Sequence, residues 1–217
     1  MVSSASMPHI VLLGDSIFDN SAYVGGGPDV TAQLRLRLPS GCRATLREED
    51  GAVTSSVVRQ IQQCPPDATH LIVCVGGNDA LRHSGLLDEG ARSVAAVVNR
   101  LGEIRERFEG DYGTMLDAVL ASRLPTAVCT IYDARYPDPL RQRLVITGLT
   151  IFNDVITREA FIRGLPLIDL RLICDKAEDY ANPIEPSVQG GAKIAAAIAA
   201  LTTSHNWPQG RSAVFAF

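Results

Sequence analysis

HIVLLGDS, residues 9–16, is the strongest structural signal in this chain. Its apolar run stops at Gly14 and Asp15, and a short apolar run that ends at a glycine is typical of a buried strand followed by a turn. Ser16 therefore falls at a predicted strand-to-helix corner, with its hydroxyl facing solvent and its amide near a helix start. A serine in that place is a candidate nucleophile, although an isolated Gly-Asp-Ser triplet is more often a helix cap.

Four further short runs are enriched in apolar and β-branched residues, and they predict strands over residues 43–47, 71–75, 127–131 and 166–168. Segments with helical periodicity lie between or after them, over residues 91–108, 112–122, 139–163 and 189–201. Asp29 and Thr54 stand at additional predicted helix starts. Strands that alternate with helices in this way predict an α/β fold with a central parallel sheet of about five strands.

The composition favours a single domain over residues 1–217, with one sizeable core. Lys and Arg number 20 against 24 Asp and Glu, and the net charge of −4 argues against a nucleic-acid partner. No stretch approaches the roughly 20 consecutive apolar residues that cross a bilayer. From the sequence we therefore expect neither a signal peptide nor a membrane anchor, and we expect a cytoplasmic protein with no membrane partner.

The cysteines agree with that location. Five are present, at positions 42, 64, 74, 129 and 174, and most of them lie in apolar runs. Their odd number and wide spacing predict reduced, buried thiols. Because no Cys-x-x-Cys or Cys-x-x-His pair occurs, we expect no metal site.

Three loops that follow predicted strands contain residues suited to chemistry. They are Gly14-Asp15-Ser16, Asp50-Gly51-Ala52 and Gly76-Gly77-Asn78-Asp79. In an open parallel sheet, ligands bind outside the carboxyl ends of the strands, so we expect the three loops to converge. Asn78 could donate its side-chain amide to an oxyanion, and Gly51 could offer an unobstructed backbone amide. Read alone, the Gly-Asn-Asp sequence is more often a turn.

The order of these motifs resembles the four sequence blocks of the SGNH/GDSL hydrolases. Gly14-Asp15-Ser16, Gly51, Gly76-x-Asn78-Asp79 and a final block over residues 182–194 extend over nearly the whole chain. The resemblance implies a three-layer α/β/α flavodoxin-like fold and hydrolysis of carboxylic esters or related acyl substrates, without a cofactor. It also implies that Ser16 is the nucleophile and that the amides of Ser16 and Gly51 and the side chain of Asn78 form the oxyanion hole.

The final block departs from the family pattern of Asp-x-x-His, because this chain has Asn182-Pro183-Ile184-Glu185 there. Glu185 can accept the Ser16 proton, but its reference pKa of about 4.3, against about 6.5 for histidine, weakens it as a base by roughly 3 kcal/mol of driving force. Burial of the carboxyl group would narrow that gap. Asn182 replaces the acid that would orient a histidine, and a carboxylate base has no tautomer to fix. Both residues therefore belong to the predicted catalytic set.

Histidines offer an alternative base. His83, four residues after Asp79, is the best placed of the four to replace the missing histidine. His9 and His70 flank predicted strands and are interpreted as structural, whereas His205 lies in a final segment without clear periodicity.

Four aspartates and two loops complete the candidates. We expect Asp15 and Asp79 to organise their loops, and Asp169 or Asp175 to cap the segment before the last block. Residues 132–139 and the glycine-rich stretch 25–28 are candidate walls of the site.

Three functions remain open at the level of sequence. The first is a serine-dependent hydrolase of a small-molecule ester, with a weakened base. The second is a binding or regulatory protein that kept the pocket but lost turnover, because the Asp-x-x-His pair is replaced. The third is a flavodoxin-like nucleotide or flavin binder, although Gly25-Gly26-Gly27-Pro28 fits neither usual phosphate-binding glycine pattern. The first is favoured, and the sequence leaves the substrate and the oligomeric state open.

Overall fold

A computed structural model describes residues 7–49, 51–205, 207 and 212–216. The strands in these residues are β1 (His9–Gly14), β2 (Arg43–Glu48), β3 (His70–Cys74), β4 (Thr126–Cys129), β5 (Leu167–Ile168), β6 (Tyr180–Asn182), β7 (Glu185–Pro186) and β8 (Val214–Phe215). Six of them form one sheet in the order β2-β1-β3-β4-β5-β8, with parallel neighbours. Strand order reverses between β1 and β3, and ligands bind outside the carboxyl ends of strands at such a point.

Helices cover both faces of this sheet. In the described residues they are α1 (Val30–Arg37), α2 (Val57–Gln62), α3 (Gly77–Leu81), α4 (Val94–Leu120), α5 (Pro139–Ile162), α6 (Leu170–Ile173) and α7 (Val188–Ser204). One core cluster contains residues of α1, α6 and α7, and a second contains residues of α2, α4 and α5. The fold is therefore the three-layer α/β/α arrangement that the sequence predicted.

The burial of strand β1 on both faces explains why its sequence predicts a strand so clearly. Ile10 and Leu12 belong to the core beneath α1 and α7, whereas Val11 and Leu13 belong to the core beneath α4 and α5. All four side chains are fully buried. Because successive side chains of a strand point to opposite faces, burial of both faces requires an uninterrupted apolar run.

The five predicted strands are confirmed as β1 to β5, with ends that differ by one or two residues. The sixth strand of the sheet, β8, was not predicted, and it lies in the final segment after His205, where the sequence has no clear periodicity. Residues 206, 208–211 and 217 of that segment lie outside the described residues. Val214 and Phe215 pair with Leu167 and Ile168, so tertiary pairing defines this strand.

Two predicted helices, over residues 91–108 and 112–122, are in fact the single helix α4. Ser93 sets its beginning, because the serine side chain accepts a hydrogen bond from the Ala96 amide at 3.1 Å. Phe108, Tyr112 and Met115 lie on one buried face across the predicted break. Packing of that face therefore outweighs the low helix propensity of the two glycines between them, Gly110 and Gly113.

Other helix starts follow the sequence predictions closely. Asp29 caps α1 by accepting from the Ala32 amide at 2.6 Å, and Asp169 caps α6. Thr54 begins a short 3-10 turn that leads into α2. Strands β6 and β7 form a separate antiparallel hairpin between α6 and α7. None of the described helices is both long and apolar enough to span a membrane.

Candidate active site

The corner that carries Ser16 requires a glycine at position 14. Gly14 has a φ of +145°, and a Cβ atom there would lie 1.8 Å from the carbonyl oxygen of Cys74 on the neighbouring strand. The side chain of Gln60 fixes this glycine from α2: its Oε1 accepts from the Gly14 amide and its Nε2 donates to the Gly14 carbonyl, both at 2.8 Å. The backbone that leads into Ser16 is thus held on both sides.

Ser16 and Glu185 meet although 169 residues separate them in the chain. The Ser16 hydroxyl donates a hydrogen bond to Glu185 Oε1 at 3.1 Å. Ser16 is half-buried, whereas Glu185 is buried with 8% of its surface exposed. The predicted nucleophile and the predicted base are therefore in hydrogen-bond contact.

Three side chains hold the hairpin that presents Glu185. The Tyr132 hydroxyl donates to the Ile184 carbonyl, and Asn20 Nδ2 donates to the Pro186 carbonyl at 2.9 Å. Burial, and secondarily the charge of Glu185, raises the pKa of Tyr132 well above its usual value, so its hydroxyl stays a donor. Asn182 Oδ1 accepts from the Ile184 amide at 2.9 Å, so this side chain shapes the turn of the hairpin.

Asn78 lies at the beginning of α3 and connects the second and third loops. Its Nδ2 donates to the Ala52 carbonyl at 3.0 Å. Its neighbour Asp79 makes a second connection by accepting from the Thr54 amide at 3.0 Å. Burial raises the pKa of Asp79, and the hydrogen bond from Thr54 opposes that rise. Asp79 therefore organises two loops together, whereas the sequence assigned it to the third loop alone.

Gly51 lies beside Ala52 in the second loop, but it is exposed. Its φ of +68° is a conformation that favours glycine, and no atom lies within 4 Å of the place a Cβ would occupy. Gly51 is not among the described residues that line the cavity next to Ser16. Asp50, which precedes it, lies outside the described residues.

A cavity of about 150 Å³ opens beside the Ser16 hydroxyl. Ser16, Asn78 and Glu185 all line it. Aliphatic and aromatic side chains of α4 and α5 form much of the remaining wall, including Leu101, Ile104, Leu144, Leu149 and Phe152. Pockets of this kind, mostly apolar with a few convergent polar groups, are typical of small-molecule sites.

Several secondary predictions can be placed around this cavity. Tyr132, Ala134 and Tyr136 line it, which confirms the predicted wall in the loop after β4. The glycine-rich stretch 25–28 is absent from the described lining, and Gly27 faces Val188 instead. His83 also lines the cavity, and its ring stacks on Phe152 with centroids 6.5 Å apart.

Asn20 and Gln60 are positioning residues that the sequence analysis missed. Both are buried, and their partners lie 166 and 46 residues away in the chain. No local pattern marks a single amide side chain that bonds to distant backbone. Within the described residues, no cluster of three or more His, Cys, Asp or Glu side chains is arranged to hold a metal ion.

Residues 12–193 match the model of the GDSL-like lipase/acylhydrolase family. The chain belongs to this family. The matched range includes the Ser16 loop, Asn78 and the hairpin of Glu185. These residues, which meet at the cavity, therefore lie within the part of the chain that the family model covers. Among curated proteins, none matches this GDSL-like protein significantly in sequence.

Solved structures resemble the GDSL-like protein in fold. An α/β hydrolase from the metagenome of Lake Arreo, Spain, has a TM-score of 0.64 and 22% identity, over 93% of this chain and 98% of that one. A carbohydrate acetylesterase from Sinorhizobium meliloti has a TM-score of 0.63 and 14% identity, over 91% and 99%. An extracellular lipase from Streptomyces rimosus has a TM-score of 0.59 and 18% identity, over 86% and 95%. Identities this low concern the fold alone.

Proposed function

We propose that this GDSL-family protein hydrolyses small-molecule carboxylic esters or related acyl compounds, with Ser16 as nucleophile and Glu185 as its base. The 3.1 Å hydrogen bond from the Ser16 hydroxyl to the Glu185 carboxylate is the observation that carries the proposal. A nucleophile needs its base within hydrogen-bond reach, and the base here is held by a hairpin anchored at both Ile184 and Pro186. Family membership supports acyl transfer as the reaction class.

In the proposed reaction, Ser16 Oγ attacks the carbonyl carbon while its proton passes to Glu185. The carbonyl oxygen becomes an oxyanion, which accepts hydrogen bonds from the Ser16 amide and from the second N–H of the Asn78 side chain. The bond to the alcohol then breaks, and Glu185 returns the proton to the leaving oxygen. A water molecule next attacks the acyl-serine and gives a proton to Glu185, which passes it back to Ser16 Oγ as the acid departs. No cofactor or metal enters these steps.

Gly51 and Asn182 keep smaller parts in this proposal. Gly51 stays a predicted third oxyanion donor, because its exposed loop is joined to Asn78 through Ala52. Asn182 supports Glu185 indirectly, through the hydrogen bond that shapes the hairpin turn. Neither residue is required for the proton transfer between Ser16 and Glu185.

A carboxylate base sets the expected speed. Relative to imidazole, the reference pKa values differ by about two units, so we propose turnover up to about 100-fold slower than with a histidine in the same place. The replacement also supports a second candidate function, in which the cavity binds a ligand without turnover. The two candidates differ in one property, which is hydrolysis that depends on Ser16.

The test is hydrolysis of 4-nitrophenyl acetate and butyrate by wild type, Ser16→Ala, Glu185→Gln and Glu185→His. We expect Ser16→Ala and Glu185→Gln to lose at least about 100-fold in kcat/KM. Glu185→His should retain more activity than Glu185→Gln and should show a new inflection in its pH profile near about 6.5. Ser55→Ala and Glu106→Gln, at exposed positions, are the matched controls.

Two results would contradict the proposal. If Ser16→Ala hydrolyses both esters at the wild-type rate, Ser16 is not the nucleophile. If wild type is inert while Glu185→His is active, the rest of the site can support hydrolysis but Glu185 does not act as a base, and the binding candidate is correct. Circular dichroism of each variant separates loss of chemistry from loss of fold.

The free thiols bear on location. All five cysteines are unpaired, and Cys74, Cys129 and Cys174 are buried. This state supports the expected cytoplasmic location, since reduced thiols persist in reducing compartments.

A further inference from the structure

The charged side chains of the cavity come from different elements and differ in sign. Asp15 and Glu185 bring carboxyl groups from the carboxyl end of β1 and from β7, near the nucleophile. Arg141 lines the same cavity from the first turn of α5. Among the described lining residues it is the one side chain with a permanent positive charge.

Arg141 is held in place by its surroundings. Its backbone amide donates to the Asp138 cap at 2.6 Å, and its guanidinium lies over the Tyr136 ring, 5.9 Å from the ring centre. Contact with the ring restricts the conformations of the long Arg141 side chain. A ligand that pairs with Arg141 therefore causes a smaller loss of side-chain conformational entropy.

The ion pair that Arg141 makes in this structure is weak. Nη1 lies 3.4 Å from Asp88 Oδ1, near the outer limit of a hydrogen bond. The Asp88 side chain is 75% exposed and that of Arg141 is 30% exposed. Exposed pairs of this kind contribute little, because water and salt screen them. An anion inside the cavity would be less screened, and it could use two donors of the planar guanidinium at once.

We propose that the cavity binds an ester that also carries an anionic group, and that Arg141 pairs with this group while the ester carbonyl lies at Ser16. The inference rests on the proposed function only where it places the ester carbonyl at Ser16. The carboxylates of Asp15 and Glu185 disfavour an anion near the nucleophile, so charge orients the substrate. Leu144, Val145 and Leu149 lie on α5 beyond Arg141 and also line the cavity, and they suit an apolar segment between the two polar groups.

The anion can belong to the acyl part or to the alcohol part of the ester, and two matched pairs of substrates separate these cases. In the acyl arm, mono-4-nitrophenyl adipate is compared with 4-nitrophenyl hexanoate. In the alcohol arm, 4-sulfophenyl acetate is compared with phenyl acetate. The measured quantity is the ratio of kcat/KM for the anionic ester to kcat/KM for its neutral partner, after subtraction of uncatalysed hydrolysis.

We expect wild type to favour the anionic ester in one arm by about tenfold. Arg141→Gln should abolish that preference, chiefly through KM, and Asp88→Asn should increase it by removing the competing carboxylate. Arg143→Gln changes an exposed arginine of α5 that does not line the described cavity, and it should leave the preference unchanged. The inference is overturned if neither arm shows a preference, or if Arg141→Gln and Arg143→Gln have equal effects.

A binding measurement keeps this inference separate from the catalytic proposal. The Ser16→Ala protein is titrated calorimetrically with monomethyl adipate and with methyl hexanoate, before and after Arg141→Gln is added. Tighter binding of the anionic ester that disappears with Arg141→Gln supports the inference even if Ser16 proves not to be a nucleophile. The same titrations with 4-sulfophenyl acetate and phenyl acetate cover the alcohol arm, and equal binding of the anionic and the neutral ester in both arms overturns the inference even if Ser16 catalyses hydrolysis.

Discussion

The Asn78 side-chain nitrogen lies 3.0 Å from the carbonyl oxygen of Ala52. This contact orients the amide, because only its NH₂ group can face a carbonyl. One hydrogen is used by Ala52, and the second is the donor that we assign to the oxyanion. The rigid contact matters because an oxyanion donor is effective only when it is positioned before the reaction.

Asn78→Ala should lower kcat for 4-nitrophenyl acetate by about 100-fold, since removal of a single oxyanion donor has an effect of that order. KM should change much less, because the donor acts mainly in the transition state. Asn99→Ala, on the exposed surface of α4, is the control. An Asn78→Ala protein that is folded and keeps the wild-type kcat would remove Asn78 from the catalytic set.

Asn20→Ala should destabilise the protein by about 2–4 kcal/mol. Asn20 is fully buried, donates to the Pro186 carbonyl and accepts from the Val30 amide at 3.0 Å, so alanine leaves two buried backbone groups without their partner. Urea unfolding measures the change, with exposed Ser21→Ala as the control. Activity should fall as well, because Pro186 follows the base directly. An unchanged unfolding midpoint would show that water satisfies both groups.

Two glycines should respond to alanine in opposite directions. A Cβ on Gly190 would lie 2.1 Å from the carbonyl oxygen of Asp179, so Gly190→Ala should push α7 away from its neighbour and cost more than about 2 kcal/mol. Gly110 lies within α4, and no atom is within 4 Å of an added Cβ. Gly110→Ala should therefore stabilise by about 0.5–1 kcal/mol, through helix propensity. Thermal and urea unfolding decide both signs, and equal shifts would contradict the prediction.

Asp169 should make stability depend on pH. Burial alone would raise the pKa of Asp169. Hydrogen bonds from the Arg171 guanidinium, whose Nε lies 2.8 Å from Oδ1, and from the Thr130 hydroxyl lower the pKa by more than burial raises it. The pKa of Asp169 therefore lies below its usual value. The folded state thus binds this proton less readily than the unfolded state. The resulting stabilisation is present above the unfolded pKa of about 3.9 and is lost as pH falls through the folded value.

Asp169→Asn should therefore reduce the loss of stability between about pH 5 and pH 2, although it should lower stability at pH 7 by about 1–3 kcal/mol. Urea unfolding across that range measures both effects, and exposed Glu106→Gln is the reference. A mutant whose stability falls with acid as steeply as that of wild type would show that Asp169 is not a source of the dependence.

The fold could be predicted from sequence wherever burial leaves a local pattern. Strand β1 is buried on both faces, and its apolar run shows it. Strand β8 consists of two residues and exists through its pairing with β5, so no local pattern was available. The break predicted within α4 had a similar cause, because the packing that carries the helix past Gly110 comes from other elements.

The site divides in the same way. Ser16 and Glu185 were paired in advance because their motifs occupy the positions of known blocks, and the structure places them in contact. Asn20, Gln60 and Arg141 carry no motif, and their importance depends on partners distant in the chain or on a shared cavity. Gly51 is the opposite case: it occupies the position of a family motif, but it is not among the described residues that line the cavity.

The pairing of a serine with a carboxylate has a consequence for how charge develops in the proposed reaction. A histidine base begins neutral, so proton removal creates an imidazolium and an oxyanion, two opposite charges where none existed. Glu185 begins negative, and proton removal relocates that single charge from its carboxylate to the carbonyl oxygen. Leu101, Ile104 and Phe152 form an apolar wall, which stabilises two newly created opposite charges poorly. Moving one existing charge within the same surroundings costs much less free energy. The apolar surroundings therefore suit the proton transfer that we propose for Glu185.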